Sequence, residues 1–84
     1  MTDPEAVRRL GDLTARELDV LKLIGRGLTN AEIARQLVIG EGTIKTHVGR
    51  IFTKLAVRDR AAAVVFAFDH GVVRPGESPG MTGG

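Results

Sequence analysis

Between Ile39 and Phe52 the chain reads IGEGTIKTHVGRIF, with Gly40, Gly42 and Gly49 set around a Lys45-Thr46 pair. Glycines beside Lys-Thr suggest phosphate chemistry, in which bare backbone amides cradle the anion and an ammonium neutralises it. A nucleotide loop of that kind needs glycine, four residues, then Gly-Lys-Ser/Thr, after a buried strand. With Lys45-Thr46 in the last two places the glycines would fall at 39 and 44, and both are isoleucine. No strand pattern precedes the run, and 84 residues leave no room for the parallel sheet such a loop belongs to. Metal and nucleophile chemistry fare no better. His47 and His70 are the only histidines, there is no cysteine, and no spaced carboxylate cluster stands beside them. Ser78, the sole serine, lies in a Pro/Gly-rich tail. The expectation is a protein without catalytic residues, metal or cofactor.

Charge points to another anion. The whole chain carries only +2, but the charge is uneven. Residues 41–60 hold Lys45, Arg50, Lys54, Arg58 and Arg60 against Glu41 and Asp59, while residues 1–40 balance and residues 61–84 are slightly acidic. A local basic face suits nucleic acid, although a merely solvated helix face has the same composition. No run approaches the ~18 apolar residues of a membrane span, and MTDPEAVRRLGD is too charged for a signal peptide. The absence of cysteine fits a cytoplasmic setting.

The elements that must present this face are helices. Thr14 and Glu17 form one capping-box pattern with Leu13 and Leu18 as staple, and Thr29 and Glu32 form a second with Leu28 and Ile33. Gly40 takes the equivalent place before a third helix, flanked by Ile39 and Ile44, and Asp59 is a good N-cap for a fourth. These starts predict a compact all-α, four-helix domain with helices over about 15–25, 30–37, 41–55 and 60–70. Gly25 and Gly27 are expected to end the first. Residues 1–12 read as linker-like, with a helix starting around Glu5 as an option, and 74–84 as a disordered tail with two prolines and four glycines.

The helix over 30–37, the break Val38-Ile39-Gly40 and the longer helix from 41 have the spacing of a helix-turn-helix. Val38 is a departure, since many such turns pass through glycine. Ile44, Val48, Ile51 and Leu55 fall on one face of the third helix; Gly42, Lys45, Thr46, Gly49, Arg50 and Thr53 fall on the other. Two readings stay open: sequence-specific DNA binding, and a small helical bundle whose basic face is incidental.

Leu13 to Val73 resembles the LuxR-type (also called NarL/FixJ-type) DNA-binding domain. The segments LTARE, GLTNAEIA, GTIKTHV, IFTKL and VRDRAAAV occur in that order at the family's spacing. Gly40 departs from the serine cap usual there, and Gly49 from a polar side chain that often reaches a base. The resemblance implies a DNA-binding output domain of a bacterial transcription regulator, commonly part of a two-component system and controlled by a receiver or ligand-binding domain. The linker-like start favours an excised domain over a free-standing small regulator. The resemblance and the helical wheel agree on the third helix as the element that enters the major groove, with Lys45, Thr46 and Gly49 at the bases. Gly49 offers no side chain; its bareness either lets the helix approach closely or leaves room for a thymine methyl. Thr29, Asn30, Thr43, Arg50 and Lys54 are the phosphate candidates.

The last helix is apolar at eight consecutive positions, Ala61 to Phe68. Ala63, Val64 and Ala67 share a core-facing arc, and Ala62, Val65, Phe66 and Asp69 the other. A helix apolar all round is covered on more than one side. The resemblance implies homodimerisation through it on an inverted-repeat operator of double-stranded DNA, with RNA polymerase as a further partner and no small-molecule ligand in this domain. The competing function is a helical protein-interaction module using this same apolar face.

Overall fold

The computed structural model describes residues 3–74, so the tail expected beyond Arg74 lies outside the described residues. Those residues are all-helical: α1 Pro4–Gly11, α2 Ala15–Gly25, α3 Asn30–Leu37, α4 Glu41–Leu55 and α5 Arg60–Asp69. The four expected helices are α2 to α5; the fifth, α1, occupies the segment expected to be linker-like. Its start signal is local. Asp3 accepts from the Glu5 amide at 3.0 Å, and Pro4 stands at the first helical position, where its missing N–H costs nothing. Only Ala6 of α1 is buried, with Leu10 packed against the core, so its apolar pattern is thin. Arg9 donates to the Leu55 carbonyl at the end of α4, 3.4 Å away, tying the two helices together.

Both capping boxes form. The Thr14 and Thr29 hydroxyls accept from the Glu17 and Glu32 amides, and each glutamate reaches back to its cap residue's amide. Asp59 caps α5 through the Ala62 amide at 2.8 Å. Gly40 begins α4 with no side-chain hydrogen bond. Helix ends use the left-handed turn: Gly27, Val38 and Ala56 take positive φ after α2, α3 and α4. Val38 does so at φ 57° with its side chain 89% exposed, so a β-branched residue carries a turn that glycine would make without strain.

The core is one cluster. Val20, Leu21 and Ile24 of α2, Ile33 of α3, Ile44 and Ile51 of α4, and Ala63 and Ala67 of α5 are essentially inaccessible. α2 packs on α3, α4 and α5. α2 ends at Gly25, as the sequence suggests, and Gly25 has a packing role besides. It is buried where a Cβ would stand 3.0 Å from both Val73 methyls and 3.1 Å from Ala67 Cβ. The chain turns back through Gly71, at φ 74°, and seats Val73 in that gap.

Candidate nucleic-acid interface

α4 is held by its apolar face and offers the opposite one. Ile44, Val48, Ile51 and Leu55 are buried, which leaves Lys45, Thr46, Gly49, Arg50 and Thr53 exposed. These five, with Lys54, line a shallow open depression along the helix. The three expected base-contact positions and two of the expected phosphate positions therefore share one concave surface. Thr53 belongs to it as well, although it stands outside the expected contact set. His47 sits half-buried at the edge of the apolar face.

Lys45 and Arg50 have no hydrogen-bond or ion-pair partner among the described residues, so their charge is available to an anion. Thr46 and Thr53 donate their hydroxyls to the Gly42 and Gly49 carbonyls at 3.2 and 3.1 Å. A Cβ on Gly42 or on Gly49 would meet nothing within 4 Å, so neither glycine is there to fit the protein's own packing.

Lys54 is different. Its Nζ lies 2.7 Å from Oε1 of Glu17, a carboxylate only 2% exposed, across 37 residues of sequence. The Lys54 ammonium is the main influence holding the Glu17 carboxyl below its usual range. The Thr14 amide and hydroxyl act in the same direction, and burial opposes them. The capping box makes Glu17 legible as a helix-start residue; its pairing with Lys54 depends on how α2 crosses α4.

At the start of α3 the Thr29 hydroxyl accepts from the Glu32 amide, and the two Thr29 bonds lower the Glu32 carboxyl pKa. Asn30 Oδ1 accepts from Arg60, whose second arm donates to the Leu28 carbonyl. Arg60 thus pins the α3 start to α5, and burial lowers its pKa from the ordinary value. Its charge serves the fold. Thr43, in the first turn of α4, is exposed but does not line the depression.

On α5, Val65 is 57% exposed, and Asp69 is exposed beside it in the helical net. Ala62 is half-buried. Phe66, expected on the free face, packs instead against the core with its ring centroid 4.4 Å from that of His70. Phe68, at 40% exposure, takes the outward place. The reason is phase: Ala63 and Ala67 fix the buried line, and position 66 lies next to 63 and 67 on the wheel while 68 lies with 61 and 65.

A family described as "Bacterial regulatory proteins, luxR family" matches residues 12–67. The chain is 52% identical over 68 residues to the transcriptional regulatory protein LnrK of Bacillus subtilis (strain 168), covering 81% of this chain and 31% of that protein. It is 47% identical over 62 residues to the response regulator protein VraR of Staphylococcus aureus (strain Mu3) and to that of Staphylococcus epidermidis, covering 74% of this chain and 30% of each. The chain spans just under a third of the length of these relatives.

Proposed function

The chain belongs to the luxR family of bacterial regulatory proteins, a DNA-binding and transcription-regulating family, and from that premise we propose that it places α4 in the major groove of a specific operator. The supporting observation is the α4 face itself: a shallow surface with Lys45 and Arg50 unpaired at its edge and bare backbone between them. The major groove admits a helix and displays a distinct donor and acceptor pattern for each base pair. Lys45, Thr46 and Gly49 meet base edges in this reading. Arg50, Thr43, Thr29 and the α3 start at Asn30 meet phosphates and set the register. Lys54, already neutralised by Glu17, positions α4 and adds little free charge.

Dimerisation belongs to α5. Val65 and Phe68 expose apolar surface on one side of a helix whose other side is core. A two-fold pairing there puts two α4 helices on an inverted repeat. The likeness to the response regulator protein VraR supports an output-module role within a longer regulator; RNA polymerase is a further partner in this reading.

Selection of a duplex from a random pool, followed by affinity against salt, tests the DNA reading. Charge-mediated groove binding gives a steep linear fall of log K with log salt. Binding unchanged between roughly 50 and 200 mM salt would count against it, and would favour a protein-interaction module built on α5.

A further inference from the structure

Gly42, Thr46, Gly49 and Thr53 recur at i, i+4, i+7 and i+11, so they form one line down the exposed side of α4. Both threonines spend their hydroxyl hydrogen on the carbonyl of the glycine one turn earlier. What Thr46 and Thr53 retain for a ligand is an acceptor lone pair and a methyl group. Between them Gly49 leaves open space, and its φ lies outside the left-handed region. Neither fold nor backbone conformation calls for glycine at that place, and a mid-helix glycine weakens the helix relative to alanine. The centre of the surface therefore offers apolar room without a donor, while the charged donors Lys45 and Arg50 stand to its side.

Among the four bases, thymine alone presents a methyl group in the major groove, and threonine methyls are suited to contact it. We propose that this line of α4 seats a thymine 5-methyl over Gly49, between Thr46 and Thr53, so that one A·T pair of each half-site is read by shape. The inference rests on α4 being the groove-reading element, as proposed above. It puts a base methyl in the open space over Gly49, and it specifies a base where the bare residue alone would specify none.

The test uses the 84-residue chain and a duplex selected from a random pool. Each thymine of the half-site is replaced in turn by deoxyuridine, which removes the methyl and leaves every hydrogen-bonding group. One position should lose about fourfold in affinity, the worth of a single buried methyl. Gly49→Ala then supplies a Cβ where the thymine methyl would sit. It should fold and melt higher than the parent, bind the thymine duplex several-fold more weakly, and lose or reverse the preference for thymine over uracil at that one position. Selective binding that is indifferent to uracil at every thymine overturns the proposal. So does a Gly49→Ala variant with an unchanged thymine preference, since Gly49 would then only allow closer approach of the helix. Failure to select any duplex removes the DNA-binding reading itself, and this inference with it.

Discussion

Each side chain on the α4 face is either free for a partner or already engaged, and that distinction sets what its substitution does. Lys45 has no intramolecular partner. Lys45→Ala should cost about 1–3 kcal/mol of binding and relax preference at one base position if it makes a bidentate contact; repeat selection with the variant reports this directly. Arg50 is likewise unpartnered, whereas Lys54 is bonded to Glu17. Arg50→Gln should flatten the slope of log K against log salt by about 0.9, the share of one phosphate contact. Lys54→Gln should lower affinity with the slope nearly unchanged, because its charge is already balanced. Glu17 itself links to pH. Its folded-state pKa lies below the ordinary 4.5, so the stability it adds is present above that value and is lost as pH falls through the folded pKa. Melting temperatures taken down through this range should fall for the parent, and Glu17→Gln should remove that part of the fall. The sequence makes Lys45 and Arg50 legible as exposed cations by helical phase alone. It cannot show that Lys54 is spent, because its partner is 37 residues away.

Among the elements, the start of each helix is written in a few adjacent residues. The caps at Thr14, Thr29 and Asp59 act within three residues, which is why the starts of α2, α3 and α5 follow from the sequence. α1 is weaker evidence by sequence because one buried alanine and one packed leucine give no periodic stripe. Glycines behave in the opposite way. Gly25 and Gly49 both lie in helices with ordinary φ, yet one faces Val73 and Ala67 at contact distance and the other faces open space. Gly25→Ala should destabilise the fold by about 1–3 kcal/mol through overpacking of the α2–α5 crossing, read as a lower denaturation midpoint at constant m. Gly49→Ala in the same measurement should move the midpoint upward.

At the scale of the whole molecule, the described residues bury one core, to which α5 gives Ala63 and Ala67 while Val65 and Phe68 stay exposed. Val65→Glu should abolish cooperative binding to a two-half-site operator and leave binding to a single half-site nearly intact, as compared on duplexes bearing one or both sites. Equal losses on the two duplexes would argue against α5 as the dimer helix. The sequence by itself determined the helical class, the helix-turn-helix spacing, the family likeness and the face of α4 that stays exposed. The likeness rests on motifs of a few adjacent residues each; the others are local or periodic properties, set by caps within one turn and by apolar residues recurring every three to four positions. Only the tertiary structure decided that Lys54 is neutralised by Glu17, that Arg60 holds α3 to α5, and that Gly25 makes room for Val73. Each of these depends on how two helices cross. Crossing geometry is fixed by the joint packing of side chains far apart in the chain, which no local pattern records.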